Sequence, residues 1–432
     1  MIMFAMFFGV LLTLFIGVTT AGSMAFISIA TYFGMGEANL NNMVRLPSSM
    51  YDQVKGITLM AIPFFLLMGN FMNKGGVSRD LFAFARACLG HRWGGLANAA
   101  IASCMVMSAM SGSAAAVAAG VGMIAIAEMR ASGYYQPFSC AAIAAGGGLG
   151  PIIPPSITLI LFASLVPGTS VNALFLGGAV PGILTGLLFI IYSSYEARRG
   201  NFGRVPPVPM KERLQLGLKA IWALLIPVIV LGGIFVGLFT ATEAAAVAAF
   251  YAMLLGFFKY KKLTLQDLPG IFWSTAKSTG QIMFVIATAA FFQHVLLKTR
   301  IPHMVVEQLV NTFSSIAPIL VLIIILLVIM GCFMEGTAIL LITVPIFHPI
   351  AVAYNFPTVQ LAIMMCIALA CGVLTPPVGL NLYVMSSITG EKVMRVGKAA
   401  IAFVLIMLLV TLLVAFFEPL TTALPRFLGY GV

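Results

Sequence analysis

Apolar residues along this chain run in long blocks rather than in alternation with polar ones, and charge is confined to the gaps between blocks. Blocks of this length predict membrane-spanning helices, since about 20 apolar residues cross a hydrocarbon core. Two basic gaps fix the orientation. One, 198–219, holds Arg198, Arg199, Arg204, Lys211, Arg213 and Lys219; the other is KYKK at 259–262. Lys and Arg collect on the cytoplasmic side, so both gaps are expected there. Between them, 220–239 goes out and 244–258 comes back through TATE, whose Thr240 and Glu243 predict a helix capping box.

The remaining blocks follow from these anchors. Backward, 174–191 crosses to an uncharged outer loop near VPGTS, and the segment before it crosses in to the MRASGYYQ loop. Lys74, Arg79, Arg86 and Arg92 mark a further inner stretch, reached from outside by 57–72. Residues 94–127, nearly all apolar or small, lie between the cytoplasmic-type charges of Arg92 and Arg130 yet are too short for two full crossings. They predict a re-entrant hairpin with its tip at Ser111, Gly112 and Ser113 in MSGSAAA. Forward, the pattern returns upside down. Residues 271–297 cross outward to KTRIPH, and 318–349 form a second hairpin, entering from outside, with its turn at MEGTA. Then 359–386 cross inward through CGVLTPPVGLN to Lys392, Arg395 and Lys398, and 401–417 lead out. The N-terminal run 1–35 makes either one crossing or two; without a basic leader or cleavage site it reads as a retained membrane segment.

The inversion is visible in the residues. MSGSAAA is followed by GGGLGPIIPPS, and MEGTAIL by CGVLTPPVG; Gly112 to Pro155 is 43 positions and Gly336 to Pro377 is 41. A small-residue turn followed at near-equal distance by G-x-x-x-P-P, twice, in segments of opposite sense, predicts an inverted repeat with two broken helices, the architecture of secondary transporters. Irregular backbone at membrane depth is tolerated only where it is buried in protein or lines a cavity. The glycines permit close approach and the prolines free upstream carbonyls, which suit a hard cation; half-helix N-termini suit an anion.

Composition narrows the classes. The chain has 432 residues, 61% hydrophobic and 8% charged, where a soluble domain is nearer a quarter charged. No segment is left for a separate soluble domain. The net charge of +11 lies in short loops, so it encodes topology rather than nucleic-acid binding. Cys88, Cys104, Cys140, Cys332, Cys366 and Cys371 lack metal-site spacing and read as small core residues. The glycine run has no GK[ST] ending for a nucleotide, and no GxSxG, HExxH or paired aspartates suggest an enzyme. Glu335, the acidic residue of a hairpin tip, is a functional candidate by its placement. It could hold sodium, orient the tip, contact substrate or simply cap the second arm.

The segments IPFFLLMGNFMNKGG, GGLANAAIASCMVMSAMSGSAAA, GGGLGPIIPPSITLILFASL, FTATEAAAVAAFYA and CGVLTPPVGLNLYV carry a resemblance. Over 57–417, in order, the chain resembles the large, DctM-like membrane subunit of tripartite ATP-independent periplasmic (TRAP) transporters. The resemblance implies an all-α polytopic membrane protein of the bacterial inner membrane, an elevator-type inverted-repeat transporter with about ten transmembrane helices, two re-entrant hairpins and two broken helices. It implies sodium-coupled import of a small organic carboxylate (dicarboxylate, keto acid, sialic or sugar acid), with no cofactor beyond the coupling ions. Two partners are implied besides membrane lipid: a separate small four-helix subunit, DctQ-like, and a periplasmic substrate-binding protein, DctP-like. Within one membrane domain, 1–432, it implies scaffold helices at 1–73, a cytoplasmic interfacial segment at 74–93 and a first transport repeat at 94–170. Scaffold helices with a cytoplasmic loop (193–219) follow at 171–297, an outer interfacial segment at 298–312, a second transport repeat at 313–390 and a C-terminal scaffold helix at 391–432.

Carried over by position, one sodium site falls on Ser111, Gly112 and Ser113 with Gly148 and Gly150, and another on Gly336 and Thr337 with Gly372 and Thr375. Substrate is expected near Ser113, Pro155, Ser156, Glu335 and Asn381. Glu335 stands where the family more often has aspartate, and TATE where it has TPTE. The alternative is a self-sufficient divalent-anion/sodium symporter, whose Ser-Asn-Thr tip signatures are absent.

Overall fold

Each interruption of the apolar pattern ends a helix. The computed structural model describes residues 2–36 and 40–431, all helix and connection with no strand among them. The N-terminal run is two helices, α1 (Ile2–Phe15) and α2 (Thr20–Gly34), divided at left-handed Gly17 and capped by Thr19. At 1.5 Å per residue each is about 22 Å long, shorter than a hydrocarbon core. There follow α3 (Leu40–Val54), α4 (Ala61–Gly75) and α5 (Val77–Leu89), the last burying Leu81 and Phe82 along one side as an interfacial helix does.

The first hairpin is α6 (Gly95–Ser111) and α7 (Ala114–Ala131), and the first broken helix is α8 (Gln136–Gly147) and α9 (Ile157–Leu165). Next come α10 (Val171–Arg199), α11 (Met210–Phe235), α12 (Ala241–Leu254) and α13 (Leu268–Lys298). The capping box is present: Thr240 Oγ1 accepts from Glu243 N, and Glu243 accepts from Thr240 N at 2.8 Å. The second half repeats the order with α14 (Ile301–Thr312), hairpin α15 (Ala317–Gly331) and α16 (Gly336–Ala353), broken helix α17 (Thr358–Gly372) and α18 (Leu380–Thr389), then α19 (Val393–Phe416) and α20 (Pro419–Phe427).

Eight helical stretches among the described residues are long and apolar enough to cross a membrane, against the expected ten or so. Two of them are the hairpin arms α7 and α16; α6, α15 and α17 are apolar but shorter, as arms and half-helices need be. The loop expected at 193–219 is only 200–209, because α10 continues to Arg199 and α11 begins at Met210. Charge had marked this stretch as loop, but Lys, Glu, Arg, Gln and Leu are good helix formers.

The helices sort into two packed groups. In one, α2, α3 and α4 pack on α13, and α12 packs on α4 and α11. In the other, α6, α8, α17 and α19 form the interior, and α10 packs on α6, α17 and α19. Helices α10 and α19 therefore lie with the hairpins, not with the outer helices to which 171–297 and 391–432 were assigned. Their apolar length alone could not reveal this. Packing also crosses between repeats: α9 meets α16 and α18 meets α7, the reciprocal contacts an inverted repeat produces. Five of the six cysteines are buried, Cys88 being intermediate.

Helices α15 and α17 cross backbone to backbone. A Cβ placed on Gly331 would lie 2.8 Å from Gly372 Cα, and one on Gly372 only 2.3 Å from Gly331 Cα. Small residues at a membrane crossing allow this approach. Gly331→Val is expected to force the crossing apart at a cost of about 1–3 kcal/mol, seen as a lower thermal unfolding midpoint in detergent. Gly280→Ala, at a helical position with nothing within 4 Å of the added carbon, is expected to leave the midpoint unchanged or raise it.

Candidate functional site

The first tip is a cap built around a turn. Helix α6 ends at Ser111, Gly112 turns in the left-handed region (φ 61°), and Ser113, extended, caps α7 by accepting from Ala116 N at 3.5 Å. The first break lies directly against it. A Cβ on Gly150 would be 2.9 Å from Ala114 N, and one on Gly147 would be 2.8 Å from Ala114 O; no other residue admits that approach. Gly112 in turn faces Ile157 N and Pro155 O. Ser156 is fully buried and committed to its own break: it donates to Pro151 O at 2.6 Å and caps Leu159 N at 3.3 Å. Among the described residues, no hydrogen bond reaches the carbonyls of Gly112, Gly148 or Gly150.

The second tip is simpler. Glu335 occupies the N-cap position of α16 with extended backbone, yet its side chain makes no capping bond. Gly336 and Thr337 form the first turn of α16. Behind them the second break bonds to the hairpin through Gly379 N to Cys332 O at 3.4 Å. Thr375 donates its hydroxyl hydrogen to Cys371 O at 2.7 Å, leaving its oxygen lone pairs free. Gly372 is taken up in the crossing with Gly331.

Both tips open into one cavity of about 90 Å³. Gly112, Ser113, Glu335, Gly336 and Thr337 line it; Pro155, Ser156 and Asn381 do not, and neither do Ser111, Gly148, Gly150, Gly372 or Thr375. Asn381 is fully buried and points at the first break, donating to Ala144 O at 2.9 Å. The predicted set thus divides into a lining and a layer that positions it. Sequence reasoning missed the apolar wall: Leu66 of α4 and Ile282 of α13 face the tips from the other packed group, and Thr158 and Leu380 complete the lining. Nothing in an apolar run distinguishes those leucine and isoleucine positions from lipid-facing ones.

The lining has a definite chemistry. The N-terminal turns of α7 and α16 converge on it, and such turns carry unpaired N–H groups and about half a positive charge each. They bring hydroxyls from Ser113 and Thr337. Gly112, whose carbonyl accepts no hydrogen bond among the described residues, also lines it, and Glu335 supplies a carboxylate. One pocket can therefore meet an anion at the helix ends and small cations at the oxygens. A volume of about 90 Å³ equals roughly three waters, below the several hundred cubic ångströms of an organic-ligand pocket.

Comparison with known proteins agrees with this architecture. The family model described as "Tripartite ATP-independent periplasmic transporter, DctM component" matches residues 7–420. The C4-dicarboxylate TRAP transporter large permease protein DctM of Pseudomonas aeruginosa is 42% identical over 384 residues, 89% of this chain and 90% of that protein. The sialic acid TRAP transporter large permease protein SiaM of Vibrio cholerae is 34% identical over 425 residues, covering 98% of this chain and 99% of that one. The isethionate TRAP transporter permease protein DctMQ of Oleidesulfovibrio alaskensis is 34% identical over 96% of this chain, which spans 64% of it. Among solved structures, the YdaH transporter of Alcanivorax borkumensis shares the fold, with a TM-score of 0.62 at 14% identity over 89% of this chain and 91% of that one. The chain belongs to the DctM component family of tripartite ATP-independent periplasmic transporters, and is a transporter permease rather than an enzyme.

Proposed function

We propose that this chain is the large membrane subunit of a sodium-coupled importer that carries a small organic carboxylate from periplasm to cytoplasm across the bacterial inner membrane. The supporting observation is the convergence of two helix N-termini, two hydroxyls and a carboxylate on one cavity backed by unbonded carbonyls. The anion would sit at the helix ends, and sodium at the oxygens of the tips and breaks. Relatives named for C4-dicarboxylate, sialic acid and 2,3-diketo-L-gulonate support an organic acid as substrate.

Two packed groups that meet at the cavity support an elevator. In this reading α6–α10 and α15–α20 move together against α1–α4 and α11–α13, with α5 and α14 as the connecting arms. A dicarboxylate moved inward against a potential of 100 mV, negative inside, costs about 4.6 kcal/mol, at about 2.3 per charge. More than two sodium ions per dianion are needed before the potential favours uptake. A DctP-like binding protein delivers the substrate, and a DctQ-like four-helix subunit packs on the fixed group; the fused name of the Oleidesulfovibrio relative supports the latter.

Reconstitution tests this. Liposomes holding this chain and its small subunit are expected to take up a labelled carboxylate only with the binding protein and an inward sodium gradient. Sodium-driven uptake by this chain alone would replace the tripartite reading with the self-sufficient symporter. Ser113→Leu and Thr337→Leu are each expected to reduce sodium-dependent uptake to background, while co-purification with the small subunit persists. Normal sodium stimulation in both would remove the tips from the ion sites.

A further inference from the structure

The two breaks share the glycine and the proline pair of their motif but differ in how the half-helix that follows is held. With Gly150 matched to Gly372 and Pro155 to Pro377, Asn381 falls opposite Leu159. Helix α9 begins on Ser156, whose hydroxyl caps it. Helix α18 begins on Gly379 in the left-handed region (φ 52°), with no side-chain cap. Asn381, the second residue of α18, reaches across to the other repeat instead.

Its backbone N–H donates to Val373 O at 3.2 Å, folding the second break back on itself. Its side-chain Nδ2 donates to Ala144 O at 2.9 Å. That carbonyl lies in the last turn of α8 and also accepts from Gly148 N at 3.0 Å. Asn381 therefore grips the turn from which the unbonded carbonyls of Gly148 and Gly150 project. The packing agrees: a Cβ on Gly148 would lie 3.5 Å from Leu374 Cδ1 of the second break. The side chain is fully buried, and among the described residues no donor reaches its Oδ1. Polar groups buried this deeply are normally fully satisfied, so a half-used amide is kept for something other than packing.

We propose that Asn381 is a positioning residue that couples the two half-sites. By tying the second break to the Ala144 carbonyl, it makes the geometry of each set of ion-binding oxygens depend on occupancy of the other. Sodium binding at the two sites is then cooperative, and Asn381 acts through the backbone rather than by touching substrate. This rests on the sodium-coupled reading above.

The test is a sodium titration of the purified protein with its small subunit in detergent, followed by the thermal unfolding midpoint, with potassium as control. Wild type is expected to show a sodium-specific rise with a Hill coefficient above 1. Asn381→Leu, similar in size but without the donor, is expected to keep its sodium-free midpoint. Its Hill coefficient should fall to about 1 and its half-saturating sodium should rise at least about fivefold, the low end of ordinary coupling between sites. Asn381→Ser, milder in packing but too short to span the gap, should behave in the same way. Cooperativity retained in both variants would overturn the coupling alone. A sodium-free midpoint lost in both would assign Asn381 to folding and overturn it as well. A wild type that does not distinguish sodium from potassium would overturn the sodium reading and the coupling together.

Discussion

A peptide group released from a helix at membrane depth finds no water, and each unmet group costs several kcal/mol. This chain releases such groups at the turns before α7 and α16 and in the gaps between α8 and α9 and between α17 and α18. All four gather into one region, where glycine lets backbones touch and the second break bonds to its hairpin through Gly379 and to the first break through Asn381. The same condition that makes the region costly leaves oxygens and N–H groups available to a solute, so the binding chemistry follows from the way the fold is closed.

Inversion supplies the second half of the solution. Because α9 meets α16 and α18 meets α7, each hairpin is braced by the broken helix of the other repeat as well as by its own. The two N-terminal turns then face each other across the cavity rather than lying on separate surfaces. The repeats are still free to diverge: one tip carries serine and the other glutamate and threonine.

Much of this was legible in the sequence because membrane topology is written in charge. The hairpins at MSGSAAA and MEGTA and both breaks fall where the residues place them, while the basic gap at 198–219 is largely taken up by the ends of α10 and α11. The capping box at Thr240 and Glu243 was legible because its spacing is a local rule. Less legible was anything decided by which face of an apolar helix meets which neighbour. Nothing in an apolar run marks the faces by which α10 and α19 pack beside the hairpins, or by which Leu66 and Ile282 reach the cavity. Carry-over by position places Ser156 and Asn381 near substrate, but the coordinates show both side chains bonded to backbone behind the cavity. Relevance to a site and contact with its contents are different properties, and spacing reports only the first.

The short link between α10 and α11 has a mechanical side. Its first half is fastened to the hairpin group, through Gly95 N to Gly203 O at 3.2 Å and Val205 N to Gly90 O at 3.2 Å, while Tyr134 bonds both the start of α6 and Gly203 O. Only the stretch between Val205 and Met210, rich in proline, is left to span the two groups. The four residues between them, crossed in five Cα–Cα steps, reach at most about 18 Å when fully extended. The protein therefore carries its own tape measure: any relative travel of its two halves ends where that leash goes taut.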